Sequence, residues 1–383
     1  LDALLELYNK GQLSAAVDKA QLLVLDFPSS FLLWNLLGAV NLGLRRTLEA
    51  EVDFRKAIEL NANYATAHNN LGNVLKEQGN LHDAVESYQR ALKTNPDYVS
   101  AHNNIGATLH ELGELDAAVE AFQHALKINP NFAVGHFNLG NVLLQQGKIN
   151  PAIKALQCAL RVKADYAEAH CKIGDALNRQ GQLGDSIKAY RRALEINPDY
   201  SEVHNNLGNV LKQQGLKSQA IEAYQRALII KPDFWVVYNN MGIALTEQGK
   251  LEEAIKSYQS ALNINPSFAD AYSNMGTAMK YQGKLDSAIQ AYQRALEIKP
   301  DHAEASNNLG NVLFEKGELN VSIETFARTL EINADYAEAH YNMGSALVEK
   351  GELNTAIEAF NRALKIKPDY ADAEAQMLHQ RRH

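Results

Sequence analysis

Cysteine, long apolar runs and an excess of positive charge are scarce or missing in this sequence. Only 2 of the 383 residues are cysteine, which excludes a disulfide framework and predicts a reducing, cytoplasmic environment. No run of about 18 or more apolar residues occurs, so neither a membrane-spanning helix nor a membrane partner is expected. Lys and Arg number 37 against 45 Asp and Glu, a net charge of -8, which argues against a nucleic-acid partner.

What the sequence does contain is a regular spacing of glycine. The residues are 46% hydrophobic, and a disordered chain would lack that apolar fraction. Ten glycines from Gly38 to Gly344 and nine from Gly79 to Gly351 recur every 34 residues. A fixed period of about 20–50 residues is the signature of a protein built from stacked repeats.

Each unit of 34 residues reads as two helices, as residues 65–98 illustrate. The first helix is predicted to end at Gly79, since glycine readily adopts the left-handed conformation that follows a helix. The second helix is predicted to end at Asn95 and Pro96, because proline cannot continue the helical hydrogen bonds. Asp97, the residue after the proline, is predicted to cap the N-terminus of the next helix.

Glycine and aromatic residues at fixed positions predict how the two helices pack. Gly72 and its equivalents lie in the middle of a helix, where glycine costs about 1 kcal/mol relative to alanine. We therefore expect close approach of the neighbouring helix at these positions. Aromatic side chains are expected to fill the gaps, at Phe54, Tyr88, Phe122, Tyr190, Tyr224, Tyr258, Tyr292, Phe326 and Phe360.

The complete pattern resembles the tetratricopeptide repeat over essentially the whole chain. It reads aromatic or His-x-x-Leu-Gly-x-x-Leu, followed by Gly, Ala, Tyr or Phe, Ala and Pro at fixed offsets. The resemblance implies an all-α fold, a right-handed superhelix (α-solenoid) of helix-turn-helix repeats, with the first helices lining a concave groove. We expect a single solenoid over residues 1–383. It would comprise a partial first repeat at 1–30, ten full repeats at 31–370, and a capping or linker helix at 371–383.

Asparagine recurs on the first helix, directly before the apolar-glycine pair. It occupies this position in eight of the ten full repeats, with Leu36 and Lys172 as the exceptions. We call these residues the ladder asparagines: Asn70, Asn104, Asn138, Asn206, Asn240, Asn274, Asn308 and Asn342. Asparagine is unfavourable inside a helix, so its recurrence needs a reason. One interpretation is local bonding between helices. The other is a row of amides that pair with the backbone of an extended polypeptide, since an amide both donates and accepts.

The ladder resembles the repeat arm of the O-linked N-acetylglucosamine transferases and their SPINDLY-like relatives. The resemblance implies that the eight asparagines bind protein or peptide segments in the concave groove. The chain would then be the substrate-recruiting arm of a larger transferase-like protein. The alternative is a stand-alone scaffold that assembles a protein complex. No catalytic constellation is present in the sequence, so no enzyme activity and no cofactor are expected of this chain, and self-association stays open.

Six histidines recur at one position of the repeat, and histidine is a common metal ligand. They are His68, His102, His136, His170, His204 and His340. Zinc needs ligands within about 2.0–2.1 Å of one ion, and residues one repeat apart cannot meet that requirement. Trp34, Tyr238 and Tyr272 occupy the same position, which favours aromatic packing and predicts no metal site.

Overall fold

The computed structural model describes residues 2–380, apart from the side chains of Leu378 and Gln380. Every element in this range is an α-helix. The helices are α1 (Asp2–Asn9), α2 (Leu13–Asp26), α3 (Phe31–Gly43), α4 (Thr47–Leu60), α5 (Ala65–Glu77), α6 (Leu81–Thr94), α7 (Val99–Glu111), α8 (Leu115–Ile128), α9 (Ala133–Gln145), α10 (Ile149–Val162), α11 (Ala167–Arg179), α12 (Leu183–Ile196), α13 (Ser201–Gln213), α14 (Lys217–Ile230), α15 (Trp235–Glu247), α16 (Leu251–Ile264), α17 (Ala269–Tyr281), α18 (Leu285–Ile298), α19 (Ala303–Glu315), α20 (Leu319–Ile332), α21 (Ala337–Lys350), α22 (Leu353–Ile366) and α23 (Ala371–Gln380). The all-α expectation is confirmed.

The chain forms two compact units, residues 1–196 and residues 197–383. Within each unit the odd-numbered first helix of a repeat packs on its even-numbered second helix, which packs in turn on the next first helix. Neighbouring first helices also contact one another, for example α5 with α7 and α17 with α19. Neighbouring second helices make no contact of that extent among the described residues. The first helices α3 to α11 of one unit and α13 to α21 of the other therefore each form a continuous layer, which we call the first-helix face.

The arrangement of residues 1–383 as a single solenoid, with a partial first repeat and a capping or linker helix, stays a prediction. Residues 371–380 form α23, which packs on α22, while residues 381–383 of the predicted terminal helix lie outside the described part. No helix within residues 2–380 is long and apolar enough to cross a bilayer.

The core of each repeat is an aromatic ring packed on a glycine. A Cβ atom added to Gly72 would lie 2.5 Å from Cε1 of Tyr88, closer than real Cβ contacts, so only glycine leaves room for the ring. The nine predicted aromatic residues are at most 1% exposed. The prediction of close approach is confirmed, and the approaching group is the ring of the partner helix. In residues 133–166, Leu156 takes the place of the aromatic residue against Gly140.

The turn within each repeat confirms the predicted role of glycine. Gly79 has φ +82°, and the N–H of Asn80 bonds the carbonyl of Leu75 at 2.8 Å, which satisfies an orphan carbonyl of the first helix. In residues 31–64 the equivalent residue is Arg45, which also adopts a left-handed conformation, with φ +59°.

The predicted N-cap at Asp97 is wrong. Helix α7 begins at Val99, its N-cap residue is Tyr98, and the Tyr98 side chain makes no capping bond. Asp97 is part of the turn that follows Pro96, so its side chain stands one residue too early to reach the free N–H groups of α7. In the equivalent turn of residues 129–131, the N–H of Asn131 bonds Oδ1 of Asn129 at 3.0 Å. In an Asx-type turn of this kind the side chain bonds the backbone of the turn itself and does not cap the helix that follows.

Candidate functional site

The ladder asparagines all lie on first helices, and all eight are half-buried. Six of them donate Nδ2 to Oδ1 of an asparagine in the preceding repeat, 35 residues earlier. These bonds are 3.0 to 3.1 Å long and join Asn70 to Asn35, Asn104 to Asn69, Asn138 to Asn103, Asn240 to Asn205, Asn274 to Asn239 and Asn342 to Asn307. We call the six acceptors the partner asparagines. The ladder is therefore a set of amide pairs that link neighbouring first helices.

A pair forms wherever asparagine occupies both positions, and the exceptions follow from the sequence. Asn308 would reach residue 273, which is Ser273, and Asn308 has no hydrogen-bond partner among the described residues. Asn206 accepts a long bond of 3.4 Å from Asn205. Lys172, which replaces a ladder asparagine, lies 3.4 Å from the carboxylate of Asp175 instead.

The partner asparagines were the part of this site that sequence reasoning missed. The extra asparagines before the ladder position are visible in the sequence, but their pairing is not. The signal that could have found them is the spacing of 35 residues, one repeat plus one, between two asparagines. Asn69, Asn239 and Asn307 are buried, with 5% to 6% exposure, so the bond they accept satisfies a polar group that water does not reach.

A second row of polar groups lies one turn further along the first helices. The hydroxyl of Tyr88 donates to Oδ1 of Asn73 at 2.9 Å, and that of Tyr224 donates to Asn209 at 2.7 Å. The equivalent hydroxyl of Tyr258 pairs with Thr246 at 3.2 Å, and burial raises the pKa of Tyr258 to about 12. Asn141, in the repeat with Leu156, has a buried Oδ1 without a partner, because leucine supplies no hydroxyl.

The inter-repeat bonds leave part of most ladder amides unused. An asparagine amide has two N–H donors and one carbonyl oxygen. Asn240 uses one N–H in its bond to Asn205, so the second N–H and Oδ1 stay available. Asn104 uses both N–H groups, on Asn69 and Asn73. The remaining donor and acceptor of a fixed amide match the carbonyl and N–H of a peptide unit.

Two lysine side chains at the edge of this face are held by ion pairs, whereas the equivalent Lys212 makes none among the described residues. Lys76 lies 3.3 Å from the carboxylate of Glu111, and Lys280 lies 2.7 Å from Glu315, each in the next repeat. These contacts link the C-terminal turns of neighbouring first helices. The amides occur in eight repeats and these lysines in three, so the amides are the more regular chemistry of the face.

The recurring histidines bind the backbone at the end of the preceding repeat. In each, Nε2 bonds the carbonyl oxygen of the residue six positions earlier, at 2.8 to 3.3 Å. The position therefore fixes the turn that enters the first helix. Burial is the main cause that lowers the pKa of His170. Within residues 2–380 no three His, Cys, Asp or Glu side chains are grouped as metal ligands would be.

Several solved structures are similar to this chain, and no curated protein is a significant match. The crystal structure of the Cut9-Hcn1 hetero-tetramer of APC/C is 14% identical, covers 98% of this chain and 95% of its own, and has a TM-score of 0.53. That likeness shows the fold. YrrB, described as a TPR protein with an unusual peptide-binding site, is 24% identical over 49% of this chain and 96% of its own, with a TM-score of 0.44. MamA is 31% identical over 43% and 97%, with a TM-score of 0.41. The last two scores are too low to support an argument.

Family models cover almost the entire chain. The model of the Cilia and flagella-associated protein 70 C-terminal domain matches residues 9–233, more than half of the sequence. Tetratricopeptide repeat models match residues 223–256, 242–281, 278–317, 310–348 and 337–370. Stacked repeats of this kind are typical of non-catalytic protein-interaction scaffolds. The sequence period, the helix pairs and these matches agree, and the chain belongs to the tetratricopeptide repeat family.

Proposed function

We propose that the chain binds extended protein segments on its first-helix face, through hydrogen bonds from the ladder asparagines to the segment's backbone. The observation that carries this proposal is the set of six amide pairs between repeats. Each pair fixes the orientation of a ladder amide and leaves it able to donate and accept. A group that is already ordered costs less entropy when a ligand binds.

The spacing of the amides suits an extended polypeptide. Packed helices lie about 8–10 Å apart, and an extended chain advances about 3.3–3.6 Å per residue. One ladder asparagine would therefore meet the backbone at roughly every third residue. Recognition of the backbone would accept segments of different sequence, which is what a scaffold or a recruiting arm needs.

Matched variants separate binding from structure, because two sets of substitutions break the same bonds. The ladder variant is Asn240→Ala, Asn274→Ala and Asn342→Ala. The partner variant is Asn205→Ser, Asn239→Ser and Asn307→Ser, with serine chosen because Ser273 occupies this position naturally. Both lose the same three inter-repeat bonds, but only the ladder variant loses the amides that would contact a ligand.

The probe is reduced and alkylated lysozyme, a permanently unfolded polypeptide, and the readout is fluorescence anisotropy. Each lost hydrogen bond is worth about 0.5–1.5 kcal/mol, so the ladder variant should bind between about tenfold and a thousandfold more weakly. The partner variant should stay within a few-fold of wild type. An equal loss of affinity in the two variants would mean that the asparagines have a structural role only.

We further propose that the chain serves as the recruiting arm of a larger protein similar to the O-linked N-acetylglucosamine transferases. The support for this is the asparagine ladder, which such arms share. The second candidate is a stand-alone scaffold for a protein complex. The sequence encoded after His383 distinguishes them, since a glycosyltransferase domain there supports the first candidate and any other continuation supports the second.

A further inference from the structure

Two cavities of the same construction lie between the turn that joins two repeats and the second helix of the following repeat. The α6 notch has a volume of about 610 Å³ and is lined by Ala62, Asn63, His68, Arg90, Lys93 and Thr94. The α22 notch has a volume of about 660 Å³ and is lined by the equivalent residues Ala334, Asp335, His340, Arg362, Lys365 and Ile366, with Leu330. The two notches occupy the same position of the repeat, one in each unit. A third cavity at that position, beside α10, has Cys158 in place of the arginine and so holds one cation only, Arg161.

Each notch carries two cations three residues apart on one helix. Three other repeats hold an arginine followed by a glutamate at these positions, and Arg192 bonds Glu195 at 2.7 Å. In the two notches that glutamate is a lysine, so the pair does not neutralise itself. Lys93, in the α6 notch, has no ion pair among the described residues, and neither has any cation of the α22 notch.

Surrounding carboxylates reduce these charges without cancelling them. Arg90 of the α6 notch bonds Glu86 at 2.6 Å, which leaves Lys93 unopposed. Asp335 lines the α22 notch and opposes one of its two cations. Each notch therefore keeps a net positive charge in a protein whose overall charge is -8.

A buried imidazole adds an unpaired acceptor to each notch. His68 is 6% and His340 is 4% exposed, and each Nε2 bonds a carbonyl oxygen, which can only accept, so Nε2 carries the proton. Nδ1 is then an acceptor, and in both residues it is buried without a partner. Buried polar atoms without partners are uncommon in folded proteins. Here they coincide with the two notches that hold an arginine and a lysine.

We propose that each notch binds the phosphate group of a phosphorylated serine or threonine on a partner protein. A phosphate monoester carries a charge of about -1.5 to -2 and three acceptor oxygens at neutral pH, which suits the two cations. The Nδ1 acceptor can pair only with the P–O–H group of the singly charged form. A carboxylate offers less charge and one oxygen fewer. No phenylalanine, tyrosine or tryptophan lines either notch to stack on a nucleobase or a tyrosine ring, which favours a phosphate carried by an aliphatic side chain. This site is separate from the ladder and from its proposed ligand.

The decisive variant gives both notches the arginine-glutamate pair that the protein already has at Arg192 and Glu195. It combines Lys93→Glu with Lys365→Glu, and Glu195 shows that glutamate is accommodated at this position. The control combines Lys188→Glu with Lys256→Glu, which changes the net charge equally on second helices outside the notches. Glutamate occurs naturally at the control position as Glu86, and thermal melts of both variants confirm folding.

The probe is a fluorescein-labelled pentapeptide, Ala-Gly-phosphoserine-Gly-Ala, compared with its serine and glutamate forms on the full chain. Wild type and the control variant should bind the phosphorylated form at least tenfold more tightly than the other two, and inorganic phosphate should compete. The notch variant should lose that preference. Equal binding of the three peptides by wild type would overturn the proposal, as would an equal loss of preference in the control variant.

Discussion

Asn342 donates Nδ2 to Oδ1 of Asn307 at 3.1 Å, whereas Asn308, one repeat earlier at the same ladder position, has no hydrogen-bond partner among the described residues. The difference arises because Ser273 stands where Asn308 would find its acceptor. Two equivalent asparagines in neighbouring repeats therefore differ in whether they bond the preceding repeat, although their side chains are the same.

This contrast predicts that Asn308→Ala and Asn342→Ala differ in stability but not in binding. Asn342→Ala leaves Oδ1 of the buried Asn307 unpaired, which costs about 1–3 kcal/mol, whereas Asn308→Ala removes no bond. Both remove one ligand-binding amide, so each should weaken capture of unfolded lysozyme by a similar few-fold. Thermal unfolding and anisotropy titrations check the two effects, and a large stability loss for Asn308→Ala would contradict this account.

Asp53 predicts a pH-dependent stability of the N-terminal unit. It is 6% exposed and accepts a bond of 2.7 Å from Asn41, and burial raises its pKa from 3.8 to about 6. Because the folded pKa is raised, the protonated form is favoured on folding, and stability is lost as pH rises from about 4 to about 7. The loss is on the order of 2 kcal/mol.

Substitution of Asp53 by Asn should remove that dependence, since an amide keeps the bond to Asn41 without a buried charge. The unfolding temperature of Asp53→Asn should exceed that of wild type at pH 7.5 and match it more closely at pH 4.5. The equivalent Ser87 makes Asp53→Ser a second control. A wild-type pH profile in both variants would show that another group is responsible.

Leu156→Tyr should stabilise the protein. In other repeats a tyrosine hydroxyl bonds the residue equivalent to Asn141, whose Oδ1 is buried and unpaired. Supplying that donor should contribute about 0.5–1.5 kcal/mol. Leu156→Phe is the matched control, because phenylalanine occupies the same position as Phe122 and lacks the hydroxyl. A phenylalanine variant as stable as the tyrosine variant would mean that volume, not the hydrogen bond, matters.

Arg45→Gly should raise stability by up to about 1 kcal/mol, because Arg45 has φ +59° and a non-glycine residue is strained there. The gain is limited by the greater freedom of glycine in the unfolded chain. Arg46→Gly, at a residue with φ -89°, should instead lower stability. The two unfolding temperatures, measured side by side, test the assignment of strain to Arg45.

The repeat and its two-helix unit were predictable from the sequence because glycine and aromatic residues are spaced by the geometry of the pair. Gly72 must leave room for the ring of Tyr88, so the spacing of these two residues in the sequence reflects the packing of the two helices. The partner asparagines were not predictable in this way, since pairing of Asn104 with Asn69 depends on how neighbouring first helices align. The prediction that Asp97 is an N-cap was wrong. Aspartate is a residue type common at N-caps, but the turn after Pro96 places the start of α7 one residue later than the prediction requires.

Binding by the ladder should depend little on salt. Amides are neutral, and screening weakens interactions between charges, with a Debye length of about 10 Å at 0.1 M ionic strength. The affinity for unfolded lysozyme should change less than about threefold between 50 and 500 mM NaCl. A steep decrease would assign binding to charged side chains, such as the exposed Glu304 and Glu338.

The most direct measurement is a nuclear magnetic resonance titration of the asparagine-¹⁵N-labelled chain with reduced and alkylated lysozyme. Signals are assigned by single substitution, and the side-chain N–H₂ groups of Asn240, Asn274 and Asn342 are compared with that of Asn239. The account predicts that the three ladder signals shift or broaden in proportion to occupancy, while the buried partner's signal changes little. Saturation of binding with the ladder signals unmoved would contradict recognition by the ladder.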